Sequence, residues 1–150
     1  MRALIQRVSS AAVTVDGAEV GSCGKGLLVL LGVGATDTPT EADKLWNKAA
    51  GLRIFDDEQG KTNLSLADVD GEVLVVSQFT LYANCKRGRR PSFTEAGAPE
   101  LGRELYEHVC GLAEQTLGAE HVGRGVFGAH MQVELTNDGP FTIWLDTDEL

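Results

Sequence analysis

Val73-Leu74-Val75-Val76-Ser77-Gln78-Phe79-Thr80-Leu81-Tyr82 is the stretch on which the reading of this chain turns. The apolar, β-branched run after the Asp70-Gly71 turn predicts a buried strand, and the polar residues behind it bring that strand out to the surface. Two hydroxyls, an amide and an aromatic fall within Ser77 to Thr80. A strand end of this kind offers backbone N–H groups that no neighbouring strand claims, and such donors are what an acyl-transfer site needs for its oxyanion. On the hexapeptide alone, Ser77 and Thr80 also fit the role of ordinary edge-strand hydroxyls.

Towards the N-terminus, Leu27-Leu28-Val29-Leu30-Leu31 is apolar on both faces and predicts a central strand ending at Gly32-Val33-Gly34. Residues 2 to 8 read as a further strand, and Val13 to Val20 carry a hairpin signal with Asp16-Gly17 at the turn. Thr38-Pro39-Thr40-Glu41 has capping-box form with proline at the first helical position, predicting a helix from Pro39 to Ala50 whose apolar side holds Leu45, Trp46 and Ala49. Leu52-Arg53-Ile54-Phe55 returns to extended structure. Asp56 to Gly60 is a polar turn whose acids lack the alternation of a calcium loop.

Towards the C-terminus, Leu101, Leu105, Val109, Leu112 and Thr116 recur near the helical period, so a second helix is expected over Pro99 to Leu117 with Gly118 as its stop. His108 and Cys110 lie on it, with no partner at metal-ligand spacing, and read as structural. Gly123 to Gly128 matches the dinucleotide pattern G-x-G-x-x-G, but a helix precedes it and a strand follows, the reverse of what phosphate binding requires. Met131 to Thr136 and Phe141 to Asp146 both alternate apolar and polar around Asn137-Asp138-Gly139-Pro140, and this predicts a hairpin. The proline after glycine is a candidate cis bond, with a trans turn proline as the alternative.

The chain's 150 residues fit one domain, 1–150, and 18 glycines with 43% hydrophobic residues favour a sheet-rich globular fold. A net charge of −9 repels phosphate on average. Against that field, Lys86, Arg87, Arg89 and Arg90 crowd into one short segment, four of the thirteen Lys and Arg. They suit either a nucleic-acid backbone or acids elsewhere on the fold. Cys23, Cys85 and Cys110 are odd in number and far apart, which excludes a disulfide framework and points to a reducing cytoplasm. No signal peptide is expected, and no apolar run is long enough to span a bilayer. No metal site or cofactor motif stands out. Nor does a G-x-S-x-G elbow, an H-E-x-x-H helix or a histidine in recognised relation to a nucleophile, so any hydrolytic chemistry must rest on backbone groups and the substrate.

Ser77 to Tyr82 together with Asn137 to Thr142 resembles the paired signature of the D-aminoacyl-tRNA deacylase (DTD) family. The likeness extends over the whole chain, through Arg2 to Val8, Arg90-Pro91-Ser92-Phe93 and Gly125 to Met131. The resemblance implies an α+β fold, with mixed and antiparallel sheets forming a barrel-like core beside two main helices, assembled as a homodimer. It implies hydrolysis of the ester between a D-amino acid and the terminal adenosine of tRNA, with no cofactor and no membrane. By the same resemblance, the N–H groups of Phe79 and Thr80 stabilise the oxyanion while Ser77, Gln78 and Met131 shape the pocket. Attack by water aided by the ribose 2′-hydroxyl is the preferred route, and a nucleophilic Thr80 the minority one. A cis Gly139-Pro140 bond, oriented by Arg7, reaches the partner subunit's site and excludes L side chains, while Lys86, Arg87, Arg89 and Arg90 contact tRNA phosphates. Phe141 departs from the family's usual valine and Gly102 from its common alanine, which leaves the tolerance for glycyl-tRNA(Ala) open. A non-catalytic tRNA-binding module is the main rival, and a small-molecule nucleotide binder the third reading.

Overall fold

The computed structural model describes residues Met1–Leu150. Eight strands and two helices follow in the order β1 (Arg2–Val15), β2 (Ala18–Cys23), β3 (Gly26–Gly32), α1 (Pro39–Gly51), β4 (Phe55–Asp56), β5 (Thr62–Leu64), β6 (Glu72–Ser77), α2 (Pro99–Leu117), β7 (Val122–Arg124) and β8 (Gln132–Asp146). The main sheet runs β2-β1-β3-β6-β7, with β8 along the other side of β1. β1 pairs antiparallel with β2, β3 and β8, whereas β3–β6 and β6–β7 are parallel. The sheet is therefore mixed, as expected for an α+β domain.

The ends of this sheet curl back on one another until it is nearly closed into a barrel. β2 meets β7 where Gly21 faces the Arg124 carbonyl and Gly123 faces the Ser22 carbonyl, and a Cβ at either position would collide with main chain. Glycine is required there by close approach.

Period-two alternation divides the core. Leu27, Val29, Leu31, Val73 and Val75 point to a cluster completed by Ala42, Leu45, Trp46 and Ala49 of α1 and Leu105, Tyr106, Val109, Cys110 and Ala113 of α2. Leu28, Leu74 and Val76 point the other way, into a barrel interior with Val8, Ala11, Val13 and Cys23. Strands buried on both faces read as continuous apolar runs, which is why β3 and β6 were visible in the sequence. Truncating Leu74, which is fully buried, to alanine should cost about 2–5 kcal/mol.

α2 has the expected bounds, and α1 runs one residue past the expected Ala50, to Gly51. α1 starts at a Thr38–Glu41 capping box, and α2 stops at Gly118, φ +90°. Asp16 and Gly17 both have positive φ, the geometry of a tight hairpin turn.

The expected hairpin at Asn137 to Pro140 does not form. Met131 to Asp146 does not reverse direction: β8 is one strand, paired with β1 from Gln132↔Thr14 to Asp146↔Arg2. Between Asn137↔Val8 and Thr142↔Gln6 the register breaks, and the residues between bulge out of the strand. The two alternating arms share one partner rather than pairing with each other. Likewise, the separate strands expected at residues 2–8 and from Val13 are one strand, β1, because β8 supports its whole length. Leu52 to Ile54 form no strand; only Phe55–Asp56 pairs, with β5.

Candidate active site

β6 ends at Ser77, and Gln78 makes the last ladder bond, its N–H donating to the Leu31 carbonyl at 2.8 Å. The chain then tightens into a 3-10 turn, Phe79–Tyr82, in which Leu81 N–H donates to Gln78 O and Ala83 N–H to Thr80 O. The first N–H groups of such a turn have no acceptor within it. Those are the N–H groups of Phe79 and Thr80. The turn is pinned from outside by Arg2, which donates to Leu81 O at 3.0 Å and stacks 4.3 Å from the Tyr82 ring centroid.

Beside this turn lies a cavity of about 580 Å³, lined by Ser77, Gln78, Phe79 and Met131 among others. Val76 and Val133 connect its floor to the barrel interior. Met131 owes its place to Gly125, where a Cβ would lie 2.8 Å from its sulfur. That sulfur accepts from the Val126 N–H at 3.4 Å. Tyr106 ties the same region together, donating to Val75 O at 2.9 Å, and burial pushes its phenol well above the ordinary tyrosine range. Phe79 is 56% exposed and meets Phe93 edge-on, ring centroids 5.1 Å apart.

Sequence reasoning had not marked several lining residues. Phe93, Phe127 and His130 contribute to the wall, and His130 is the one titratable side chain among them. Phe93 and Phe127 belong to segments already noted, but no local pattern says that two such segments converge. Gly102 lines the cavity as well, and a Cβ there would lie 3.2 Å from the Phe127 ring.

The hydroxyl of Thr80 accepts from the Gln78 amide at 2.5 Å and has no histidine or carboxylate bonded to it. Gly139 and Pro140 are exposed and do not line this cavity of their own chain. Their peptide bond is cis. The bulge that holds them is clamped by Asn137, whose side chain accepts from Phe141 N–H at 2.8 Å and donates to the Thr142 hydroxyl at 2.9 Å. Arg7 braces it from beneath, donating to Asp138 O at 2.9 Å and to Ile54 O at 2.7 Å. Its guanidinium also lies 4.7 Å from the centroid of the Phe141 ring, which gives the bulky residue at 141 a partner.

Lys86, Arg87, Arg89 and Arg90 are fully displayed on a loop closed by paired Asn84 and Ser92 backbone bonds of 2.7 and 2.9 Å. None of the four has a carboxylate within 4.0 Å among the ion pairs of the fold. The alternative of acids elsewhere neutralising them is thus not realised. No cluster of side chains suited to a metal ion is present, and no helix is long and apolar enough to cross a membrane. Gly123 to Gly128 runs from β7 into a turn rather than a helix, so the dinucleotide pattern has no helix N-terminus to serve it.

A small mixed barrel with two helices is an architecture shared with solved structures. One, titled c-Myc DNA Unwinding Element Binding Protein, superposes with a TM-score of 0.92 at 40% identity, covering 97% of this chain and 98% of that one. A probable eukaryotic D-amino acid tRNA deacylase has the same fold, with a TM-score of 0.86 at 18% identity over 96% of this chain and 97% of that one. The profile of the D-Tyr-tRNA(Tyr) deacylase family matches residues 4–146, and the chain belongs to that family. Relatives named D-aminoacyl-tRNA deacylase include one from Roseiflexus castenholzii, 58% identical over 147 residues, 98% of this chain and 92% of the relative. One from Thermotoga petrophila is 54% identical over 150 residues, 100% of this chain and 99% of the relative.

Proposed function

We propose that this protein hydrolyses the ester of D-aminoacyl-tRNA, releasing free tRNA and the D-amino acid. The observation that carries the reading is the 3-10 turn at the cavity edge, where the Phe79 and Thr80 N–H groups open without an acceptor in the turn. Two such donors, fixed in place before the reaction, stabilise the charge that develops on an ester carbonyl oxygen at no cost in reorganisation. Water adds to the carbonyl carbon, the bond to the ribose 3′ oxygen breaks, and that oxygen leaves protonated. The neighbouring 2′-hydroxyl of the substrate assists the proton transfer. Thr80, whose hydroxyl is held by the Gln78 amide and by no base, positions groups rather than attacking. Ser77, Gln78 and Met131 shape the pocket.

Selection against L substrates is assigned to the Gly139–Pro140 bulge of a second copy. These residues project from an edge strand, lie outside their own cavity and are braced by Arg7, as a rigid lip for a neighbour's site must be. Leu135 and Trp144 on the same strand are 37% and 45% exposed, an apolar surface suited to a homodimer. Glycine carries no side chain for such a lip to reject, so glycyl-tRNA(Ala) is a further substrate on this reading. Lys86, Arg87, Arg89 and Arg90 hold the tRNA backbone, and the site of action is the cytoplasm.

The deciding experiment offers matched D- and L-tyrosyl-tRNA and follows loss of the ester. Rapid cleavage of the D form alone is expected. Equal rates would remove the basis of selection, and tRNA retention without cleavage would favour a non-catalytic tRNA-binding module.

A further inference from the structure

Four of the eight arginines of this chain are already occupied. Arg2 holds Asp146, Arg7 holds the Asp138 and Ile54 carbonyls, Arg53 holds Asn63, and Arg124 holds Glu107 and Glu114. Arg87, Arg89 and Arg90 belong to the basic loop. That leaves Arg103, exposed near the start of α2, with no carboxylate, amide or carbonyl bonded to it. Glu107, four residues on and the ordinary helical partner for such a cation, is instead bonded to Arg124 at 2.7 Å.

The one thing that holds Arg103 is a ring. Its guanidinium lies 4.8 Å from the centroid of Phe127, and Phe127 forms part of the cavity wall. A cation resting on an aromatic face gains roughly 0.5–1 kcal/mol at an exposed site and keeps its N–H donors free. The side chain thus rests on a ring of the cavity wall with its hydrogen-bonding capacity unspent.

We propose that Arg103 binds the phosphodiester next to the nucleoside that enters this cavity, as a substrate-positioning residue separate from the basic loop. The inference rests on the deacylase reading above. A nucleoside lodged in the cavity leads its 5′ phosphate out past the rim, and a planar guanidinium offers two parallel donors to two phosphate oxygens. The contact reads no sequence, so it serves any tRNA.

The test compares D-tyrosyl-tRNA with 3′-O-D-tyrosyl-adenosine, an ester that lacks phosphate, in the native protein, Arg103→Ala and Arg103→Lys. With tRNA, Arg103→Ala should raise KM about tenfold at unchanged kcat, and the log–log salt dependence of kcat/KM should become shallower by about 0.7, one contact to a single strand. The penalty should be confined to the substrate that carries phosphate. Arg103→Lys should keep the salt slope and recover part of the affinity. An unchanged KM on tRNA, or an equal loss on both esters, would overturn the proposal while leaving the deacylase reading intact. A native protein that cleaves neither ester would overturn both.

Discussion

Arg2 donates to the carbonyl oxygen of Leu81 at 3.0 Å, so the first strand of the chain reaches across to the turn that presents the Phe79 and Thr80 N–H groups. The same guanidinium pairs with Asp146 of β8 at 3.0 Å and stacks on Tyr82. One side chain therefore ties β1, β8 and the candidate oxyanion donors into a single frame. Main-chain catalysis depends on such bracing, because a backbone donor has no rotamer of its own with which to find the transition state.

Arg2→Ala should lower kcat on D-aminoacyl-tRNA at least tenfold, with a loss of stability of about 1.5–3 kcal/mol for the charged hydrogen bonds. Arg2→Lys keeps charge without the planar fork and should fall between. The acid limb of stability reports the same contact. Burial alone would raise the Asp146 carboxyl, but the Asp148 N–H and Arg2 outweigh it, and its pKa falls below the ordinary 3.8. A depressed carboxylate contributes its full stability above that ordinary value and loses it as pH falls through the lower one. Denaturant titrations should show that acid loss in the native protein and a smaller one in Arg2→Ala.

Gly139→Ala should damage selectivity more than folding. Gly139 has φ +144°, and a Cβ would lie 2.8 Å from the Phe141 nitrogen, so the bulge must shift to admit it. Such a backbone position costs a non-glycine residue roughly 1–3 kcal/mol. The bulge is exposed and the paired parts of β8 on either side remain, so the protein should still fold. The ratio of kcat/KM for D- over L-tyrosyl-tRNA should drop by about tenfold or more. An unchanged ratio would remove the Gly139–Pro140 lip from chiral selection.

Neutralising the basic loop, with Lys86, Arg87, Arg89 and Arg90 all changed to glutamine, should leave thermal stability within about 0.5 kcal/mol, since these side chains hold nothing in the fold. Binding of tRNA should weaken and its salt dependence flatten, each lost phosphate contact removing about 0.7–0.9 from the log–log slope. A binding isotherm series in salt measures both. Retained slope would make the loop structural.

How much of this was legible in the sequence depends on the range of the signal. The capping box at Thr38, the stop at Gly118 and the two-faced strands β3 and β6 are written in local residues, and each forms where the pattern places it. The hexapeptide after Val76 drew notice as polar residues at the end of a buried strand, but alone it also fitted ordinary edge-strand hydroxyls, and only its pairing with Asn137 to Thr142 made it the candidate site. What the alternation around Asn137 could not express was pairing. Both arms carry the same period whether they face each other or a third strand, and the length of β1 decides for the latter. The wall contributed by Phe93 and Phe127 was hidden for a related reason: barrel closure joins segments whose own neighbours say nothing of one another. Arg103 was equally mute, since its lack of a partner arises from Glu107 choosing Arg124.

The cysteines give a final expectation that needs no substrate. Cys23 and Cys110 are buried and Cys85 is exposed. Burial pushes the first two thiols up from an ordinary 9.0 to about 11, and only the thiolate alkylates. Iodoacetamide at neutral pH should therefore label Cys85 alone in the folded protein and all three after denaturation, which peptide mass spectrometry can read. The same shifts predict the alkaline limb. A thiol whose pKa is raised by folding stabilises fully below the unfolded value and loses that contribution as pH climbs towards the folded one. Between about pH 9 and 11, stability should therefore fall by up to about 1.4 kcal/mol per pH unit for each thiol. Tyr82 and Tyr106, also raised by burial, extend the decline upward from pH 10. Cys110→Ala should flatten the lower part of that limb, and an unaltered slope there would mean that the thiol beside Tyr106 is reached by water in the folded state.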